Sequence, residues 1–253
     1  HMQDAALSGG DLETHAKKTA LEHAVSTRRS NPNWPLPRLV DNYELVMDVY
    51  KSLNEDLRKK KNVPPAAEWL LDNFYVLEEQ VKGLRRDLRK KTFMRLPVLT
   101  TGSMKGFARI VAISVELVSH TDGQITEEEI AHFLEAYQTG GKLTDREIWA
   151  LPLALRLALI EKLRHLCENV KRTQAQWHKA DELVDTWLAH DTDDQQWAVR
   201  RMRDNLKTAE EANPAFIEHL FFRLRRSGLS YAHLLRIMDE TLVKFSTTTE
   251  RLT

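Results

Sequence analysis

Residues 65–88 read PAAEWLLDNFYVLEEQVKGLRRDL, and this segment decides the fold class. Its apolar residues recur at alternating intervals of four and three, which places them on one face of an α-helix: Leu70, Phe74, Leu77, Val81, Leu84 and Leu88. The preceding segment repeats this spacing at Leu39, Tyr43, Val46, Tyr50, Leu53 and Leu57. Both stripes end after fewer than three heptads, which favours an antiparallel hairpin across the linker Lys59–Pro65 over a long coiled coil.

The rest of the chain carries the same helical signature. Only 9 Gly and 8 Pro occur in 253 residues, and strand-like alternation is nearly absent. Thr126–Glu129 and Thr144–Glu147 have the form of capping boxes, and Asn213-Pro214 predicts a helix start. The sequence predicts an all-α fold of about nine or ten helices, with more than about 60% helix and no sheet. The predicted helices lie near residues 11–28, 36–60, 65–91, 104–121, 126–138, 144–171, 174–190, 193–211, 214–227 and 229–248.

Two helices are apolar on nearly every side, Phe107–Val118 and Leu151–Leu163, so we expect both at the centre of the fold. Glu116 interrupts the apolar residues of the first helix, and Arg156 interrupts those of the second. An unpaired buried charge is costly. We therefore predict a structural ion pair between Glu116 and Arg156, or another polar partner for each.

The domain organisation predicted from the sequence has three parts. His1-Met2 reads as a cloning remnant, and residues 1–19 are expected to be a poorly ordered start. Residues 20–171 form the predicted helical core, and residues 172–253, which are more polar, form an additional helical layer. A single continuous domain is the alternative.

Composition excludes several classes of protein. Lys+Arg and Asp+Glu both number 37, so no global positive charge attracts nucleic acid or an anionic membrane. Cys167 is the only cysteine, which excludes an intrachain disulfide. No apolar run approaches the roughly 20 residues of a membrane-spanning helix.

Three stretches carry a family resemblance. They are residues 65–81 with the following Leu84–Leu88, Ala112–Gly123 (AISVELVSHTDG), and Leu143–Arg164 (LTDREIWALPLALRLALIEKLR). In this order and spacing they resemble the N-terminal helical region of bacterial cyclic β-1,2-glucan synthases. Ala20–Ser26 also resembles the start of that region, so the similarity covers about residues 20–170.

The resemblance implies a very large membrane-associated parent, a UDP-glucose-dependent glycosyltransferase whose catalytic motifs lie outside this chain. It implies that this region is a non-catalytic accessory domain on the cytoplasmic side of the inner membrane, with no cofactor. The implied partners are the other domains of the same synthase polypeptide. The alternatives are a carbohydrate-binding module for β-1,2-glucan and an autonomous glycoside-active enzyme, which would need two carboxylates in a cleft.

Candidate contacts for glucan or a neighbouring domain cluster along the second helix of the hairpin: Glu68, Trp69, Asp72, Asn73, Tyr75 and Glu79. The solvated face of an amphipathic helix is the plainer interpretation. The basic run Arg85–Lys91 suits either an anionic lipid face or the negative end of a helix. The six Trp are scattered, which favours core packing.

Two further motifs suggest cation binding. Glu116 and His120 are four residues apart and Asp122 follows, but a third ligand at defined spacing is missing, so a structural role is favoured and no metal is expected. Asp191–Asp194 contains an Asp-x-Asp motif without a preceding strand, so an interhelical turn is favoured over a nucleotide site.

Overall fold

The computed structural model describes residues 9–26, 35–88, 95–121, 125–189 and 213–226. Within these residues 81% of the chain is helical and 3% is in strands. The predicted all-α class is therefore confirmed. None of the helices in these ranges is both long enough and apolar enough to cross a membrane.

The described residues form seven α-helices, one 3-10 helix and two short strands. In chain order these elements are α1 (Gly9–Glu22), β1 (Val25–Ser26), α2 (Pro35–Arg58), the 3-10 helix Pro65–Ala67, α3 (Glu68–Leu88), β2 (Val98–Leu99), α4 (Arg109–His120), α5 (Glu127–Gln138), α6 (Asp145–Ala189) and α7 (Pro214–Arg226).

Three details differ from the predicted map. The two helices expected at 144–171 and 174–190 are one helix, α6, because no Gly or Pro interrupts the chain between them. The expected absence of a sheet is wrong, because β1 and β2 pair as antiparallel two-residue strands. The count of nine or ten helices is not confirmed, since the segments 193–211 and 229–248 lie outside the described residues.

The chain divides into two compact units, His1–Val170 and Lys171–Thr253. The first core cluster of the N-terminal unit contains the α2–α3 hairpin. Tyr50 stacks on Phe74 with ring centroids 4.0 Å apart, and the hydroxyl of Tyr43 lies 3.3 Å from a carboxylate oxygen of Glu78. Residues later in α2 thus meet residues earlier in α3, as the antiparallel prediction requires.

A second core cluster in the same unit joins α1, α4 and α5. Phe133 and Tyr137 of α5 are fully buried in it, beside Ile113 and Leu117 of α4. Helix α4 also supplies Ile110 and Val111 to the first cluster, so its predicted central position is confirmed.

Helix α1, Gly9–Glu22, corresponds to the helix predicted near residues 11–28, and it includes residues 9–19 of the start that was expected to be poorly ordered. Its residues Leu12, Ala16 and Ala20 follow a four-residue spacing and are all buried in the second cluster. The small Ala side chains allow close approach of α1 but give a weak hydrophobic signal in the sequence.

In the C-terminal unit, α7 begins at the predicted cap. The side chain of Asn213 accepts a hydrogen bond from the backbone N–H of Ala215 at 3.0 Å. Nε2 of His219 lies 2.9 Å from Asp181 of α6, and the His219 ring stacks on Trp177 with centroids 4.3 Å apart. These buried contacts hold α7 against the last part of α6.

Candidate functional site

The solvent-facing side of α3 carries five of the six candidate contact residues. Trp69 and Tyr75 are 58% and 69% exposed, far more than is usual for large aromatic side chains. Glu68, Asp72 and Glu79 are exposed between and beside them. We call these five residues, together with the exposed Val76, the α3 face.

Helical geometry explains why these residues share a surface. The opposite side of α3 is fixed in the core by the buried stripe that includes Leu70, Leu77 and Leu84. Positions 68, 72, 75 and 79 follow intervals of four and three on the other side. The sixth candidate, Asn73, is half-buried and donates a hydrogen bond to the carbonyl oxygen of Trp69 at 2.9 Å. Its amide therefore supports the helix backbone at the edge of the α3 face.

Glu116 and Arg156 do not form the predicted ion pair with each other. Nη1 of Arg156 lies 3.1 Å from the carboxylate of Asp87, whereas Oε2 of Glu116 lies 3.0 Å from Nε2 of His15. The side chains of Glu116 and Arg156 are 32% and 35% exposed. Both helices are central, but these two positions lie at the rim of the core, where each charge reaches a different partner and water.

The contact of His15 with Glu116 belongs to a group of three side chains. Nε2 of His120 lies 3.5 Å from the same carboxylate oxygen, and the two imidazole rings meet edge to face with centroids 4.0 Å apart. Glu116 and His120 were expected to lack a third partner, and His15 of α1 supplies it. Local spacing could not indicate this third partner, because His15 is 101 residues away from Glu116. Asp122 lies outside the described residues.

A buried ion pair among the described residues of the N-terminal unit lies elsewhere, between Arg109 and Glu147. Nε and Nη2 of Arg109 donate to the two carboxylate oxygens of Glu147 at 2.8 and 2.6 Å, and the side chains are 7% and 0% exposed. Glu147 also completes the predicted capping box by accepting from the backbone N–H of Thr144 at 2.8 Å. The sequence could have indicated this buried charge, because Arg109 lies inside an apolar segment.

A second polar cluster lines a cavity of about 250 Å³ between α2, α4 and α6. Arg38 and Asn42 donate to Glu161, with Asn42 Nδ2 2.8 Å from Oε2. Burial raises the pKa of Glu161, but these hydrogen bonds outweigh it and hold the pKa below its ordinary value. An ionised carboxylate with its acceptor sites engaged suits a structural role better than general acid catalysis.

His23, which follows α1, gives this region a pH dependence. Its Nδ1 lies 2.8 Å from the hydroxyl of Tyr137, and burial lowers the His23 pKa despite the opposing field of Glu116. The unfolded chain therefore binds a proton at His23 more readily than the folded chain, so the free energy of unfolding should fall as the pH drops below the ordinary His pKa of about 6.5.

The His23→Gln variant tests this pH dependence by chemical denaturation. Between about pH 7.5 and pH 5.5, its free energy of unfolding should fall by less than that of the unchanged protein. An equal loss in both would contradict the assignment.

The expected core packing of tryptophan is wrong at two positions. Trp69 lies on the α3 face, and Trp149 near the start of α6 is 84% exposed. Trp177 packs on His219 as described above. The side chains of Trp34, Trp187 and Trp197, the Asp191–Asp194 motif and residues 89–91 of the basic run lie outside the described residues.

Comparison with known proteins supports the resemblance. The chain is 30% identical over 210 residues to the cyclic beta-(1,2)-glucan synthase NdvB of Rhizobium meliloti (strain 1021). The aligned region is 83% of this chain but only 7% of that synthase, so the chain matches a small part of its relative. No protein-family model matches the chain. The predicted similarity to cyclic β-1,2-glucan synthases is thereby confirmed.

Proposed function

We propose that this chain is a non-catalytic accessory domain of a cyclic β-1,2-glucan synthase, and that it docks on other domains of the same polypeptide through the α3 face. The observation that carries the proposal is the exposure of Trp69 and Tyr75 on a helix whose other side is fixed in the core. Exposed Trp and Tyr side chains are typical anchors of protein interfaces.

The size of the relative supports the choice of other synthase domains as the partner. Because the aligned region makes up 7% of the synthase, most of that polypeptide is available to cover a surface on this domain. The carboxylates of Glu68, Asp72 and Glu79 beside the two aromatic residues form a polar rim of the kind that surrounds interface anchors. This rim also favours a partner surface that presents Lys or Arg.

A second candidate function, binding of β-1,2-glucan, is favoured by the same aromatic residues with carboxylates beside them. Sugar rings pack on exposed aromatic faces and donate hydroxyl hydrogens to carboxylates. However, small-molecule sites are usually concave, and the α3 face is the outer surface of a single helix. The outer surface of one helix suits a protein partner better than an oligosaccharide.

The test uses the purified chain and the remaining part of the synthase, with binding measured by isothermal titration. The double variant Trp69→Ala/Tyr75→Ala should bind that partner at least about 30-fold more weakly, since a single interface hot spot contributes about 2 kcal/mol. Trp149→Ala, which removes an exposed aromatic residue from α6, is the matched control and should bind normally.

Titration with linear and cyclic β-1,2-glucans separates the two candidates. Docking predicts no glucan binding by the isolated chain, whereas glucan binding that disappears in the double variant would establish the second candidate. Unchanged affinity of the double variant for the rest of the synthase would refute docking through the α3 face. UDP-glucose consumption that survives purification and is abolished by one acidic substitution would refute the non-catalytic role.

A further inference from the structure

Three potential metal ligands from two helices converge beside the second core cluster. They are His15 on α1 and Glu116 and His120 on α4, and one ligand atom from each lies within 4.8 Å of the other two. The four-residue interval puts Glu116 and His120 on one side of α4. The packing of α1 through Leu12 and Ala16 then places His15 opposite them.

The distances match the coordination shell of one ion. Zn²⁺ binds His nitrogen and carboxylate oxygen at about 2.0–2.2 Å, so two ligand atoms of a tetrahedral site are about 3.3 Å apart. Oε2 of Glu116 lies 3.0 Å from Nε2 of His15 and 3.5 Å from Nε2 of His120. We propose that these three atoms form a binding site for a divalent transition-metal ion.

The donor atoms define the class of ion. Two imidazoles and one carboxylate suit Zn²⁺ and the neighbouring first-row metals, whereas Mg²⁺ and Ca²⁺ prefer ligand sets made of oxygen alone. His15 and Glu116 are 25% and 32% exposed, so an ion can enter from solvent, and His120 closes the inner side. Three protein ligands leave a coordination position for water.

The ion would join two helices that are far apart in the sequence. A metal that binds only the folded state stabilises it by mass action. Helix α1 is anchored in the second cluster by one Leu and two Ala side chains, so a bond from His15 to the ion would fix this helix more firmly on α4. The site therefore acts as a metal-dependent clamp on the start of the domain, independent of what the α3 face binds.

The experiment uses the whole chain after removal of metal by a chelator. Zn²⁺ should bind with a stoichiometry of one, and at a free concentration about 100 times Kd the melting temperature should rise by about 5–10 °C. Mg²⁺ at the same concentration should leave the melting temperature unchanged. His15→Ala and His120→Ala should each weaken Zn²⁺ binding at least about 100-fold and abolish the rise.

The matched control is His165→Ala, which removes a histidine that also lies near two carboxylates, those of Glu161 and Glu168. It should bind Zn²⁺ normally. Circular dichroism confirms that each variant folds, and the visible spectrum of bound Co²⁺ reports the ligands directly, so Glu116→Gln should change that spectrum. Zn²⁺ binding that persists in His15→Ala and His120→Ala, or that is lost in His165→Ala, would overturn the proposal.

Discussion

Replacing Glu147 with Ala should lower the free energy of unfolding by about 3–5 kcal/mol, because it leaves the buried guanidinium of Arg109 without its carboxylate. Both oxygens of Glu147 accept hydrogen bonds from Arg109, and the remaining bond from Arg109 to the carbonyl oxygen of Lys142, at 2.9 Å, does not neutralise the charge. The variant also loses the cap at the start of α6. Urea denaturation followed by circular dichroism measures the change.

Glu129→Ala provides the matched control for this prediction. Glu129 completes the capping box of α5 through the same contacts with Thr126, but within the described part of the chain it forms no ion pair with a buried cation. Its loss should cost only about 1 kcal/mol, so the difference between the two variants isolates the ion pair. Replacing both Arg109 and Glu147 with Met should cost less than Glu147→Ala alone. Equal losses for Glu147→Ala and Glu129→Ala would show that Glu147 acts only as a cap.

Local signals in the sequence predicted much of the fold. The apolar stripes ending at Leu57 and Leu88 identify α2 and α3, and the short linker between them fixes their antiparallel packing. The capping boxes at Thr126 and Thr144 mark the starts of α5 and α6 within one residue. These features succeed because they depend on residues that lie within a few positions of one another.

The candidate sites depend on contacts across the chain, and there the sequence was less informative. His15 meets Glu116 only because α1 packs on α4 and α5, and the Ala-rich face of α1 gives a weak pattern. The prediction that Glu116 pairs with Arg156 assumed that every position of a central helix is buried. The structure instead leaves part of α4 at the rim, and the buried charge is Arg109.

Replacing Phe133 with Ala should lower the free energy of unfolding by about 3–5 kcal/mol, the usual cost of removing a fully buried aromatic ring. Phe133 is completely buried in the cluster that joins α1, α4 and α5, and its ring lies 6.5 Å from that of His15. Removing the Phe133 ring would therefore leave a cavity directly beneath the helix that carries His15. Chemical denaturation measures the total loss in free energy of unfolding, and amide hydrogen exchange shows which helices are destabilised.

The rates of amide hydrogen exchange in the different helices show what holds α1 in place. Faster amide hydrogen exchange in α1, with little change in α2 and α3, would show that the second core cluster anchors this helix separately from the first cluster.

Trp149→Ala is the control, because the ring that it removes is exposed. It should lower the free energy of unfolding by less than about 0.5 kcal/mol. A loss below about 1 kcal/mol for Phe133→Ala would mean that the cluster collapses to fill the cavity. If α1 loosens as expected, Zn²⁺ affinity should fall as well, because His15 reaches Glu116 only while α1 is packed on this cluster.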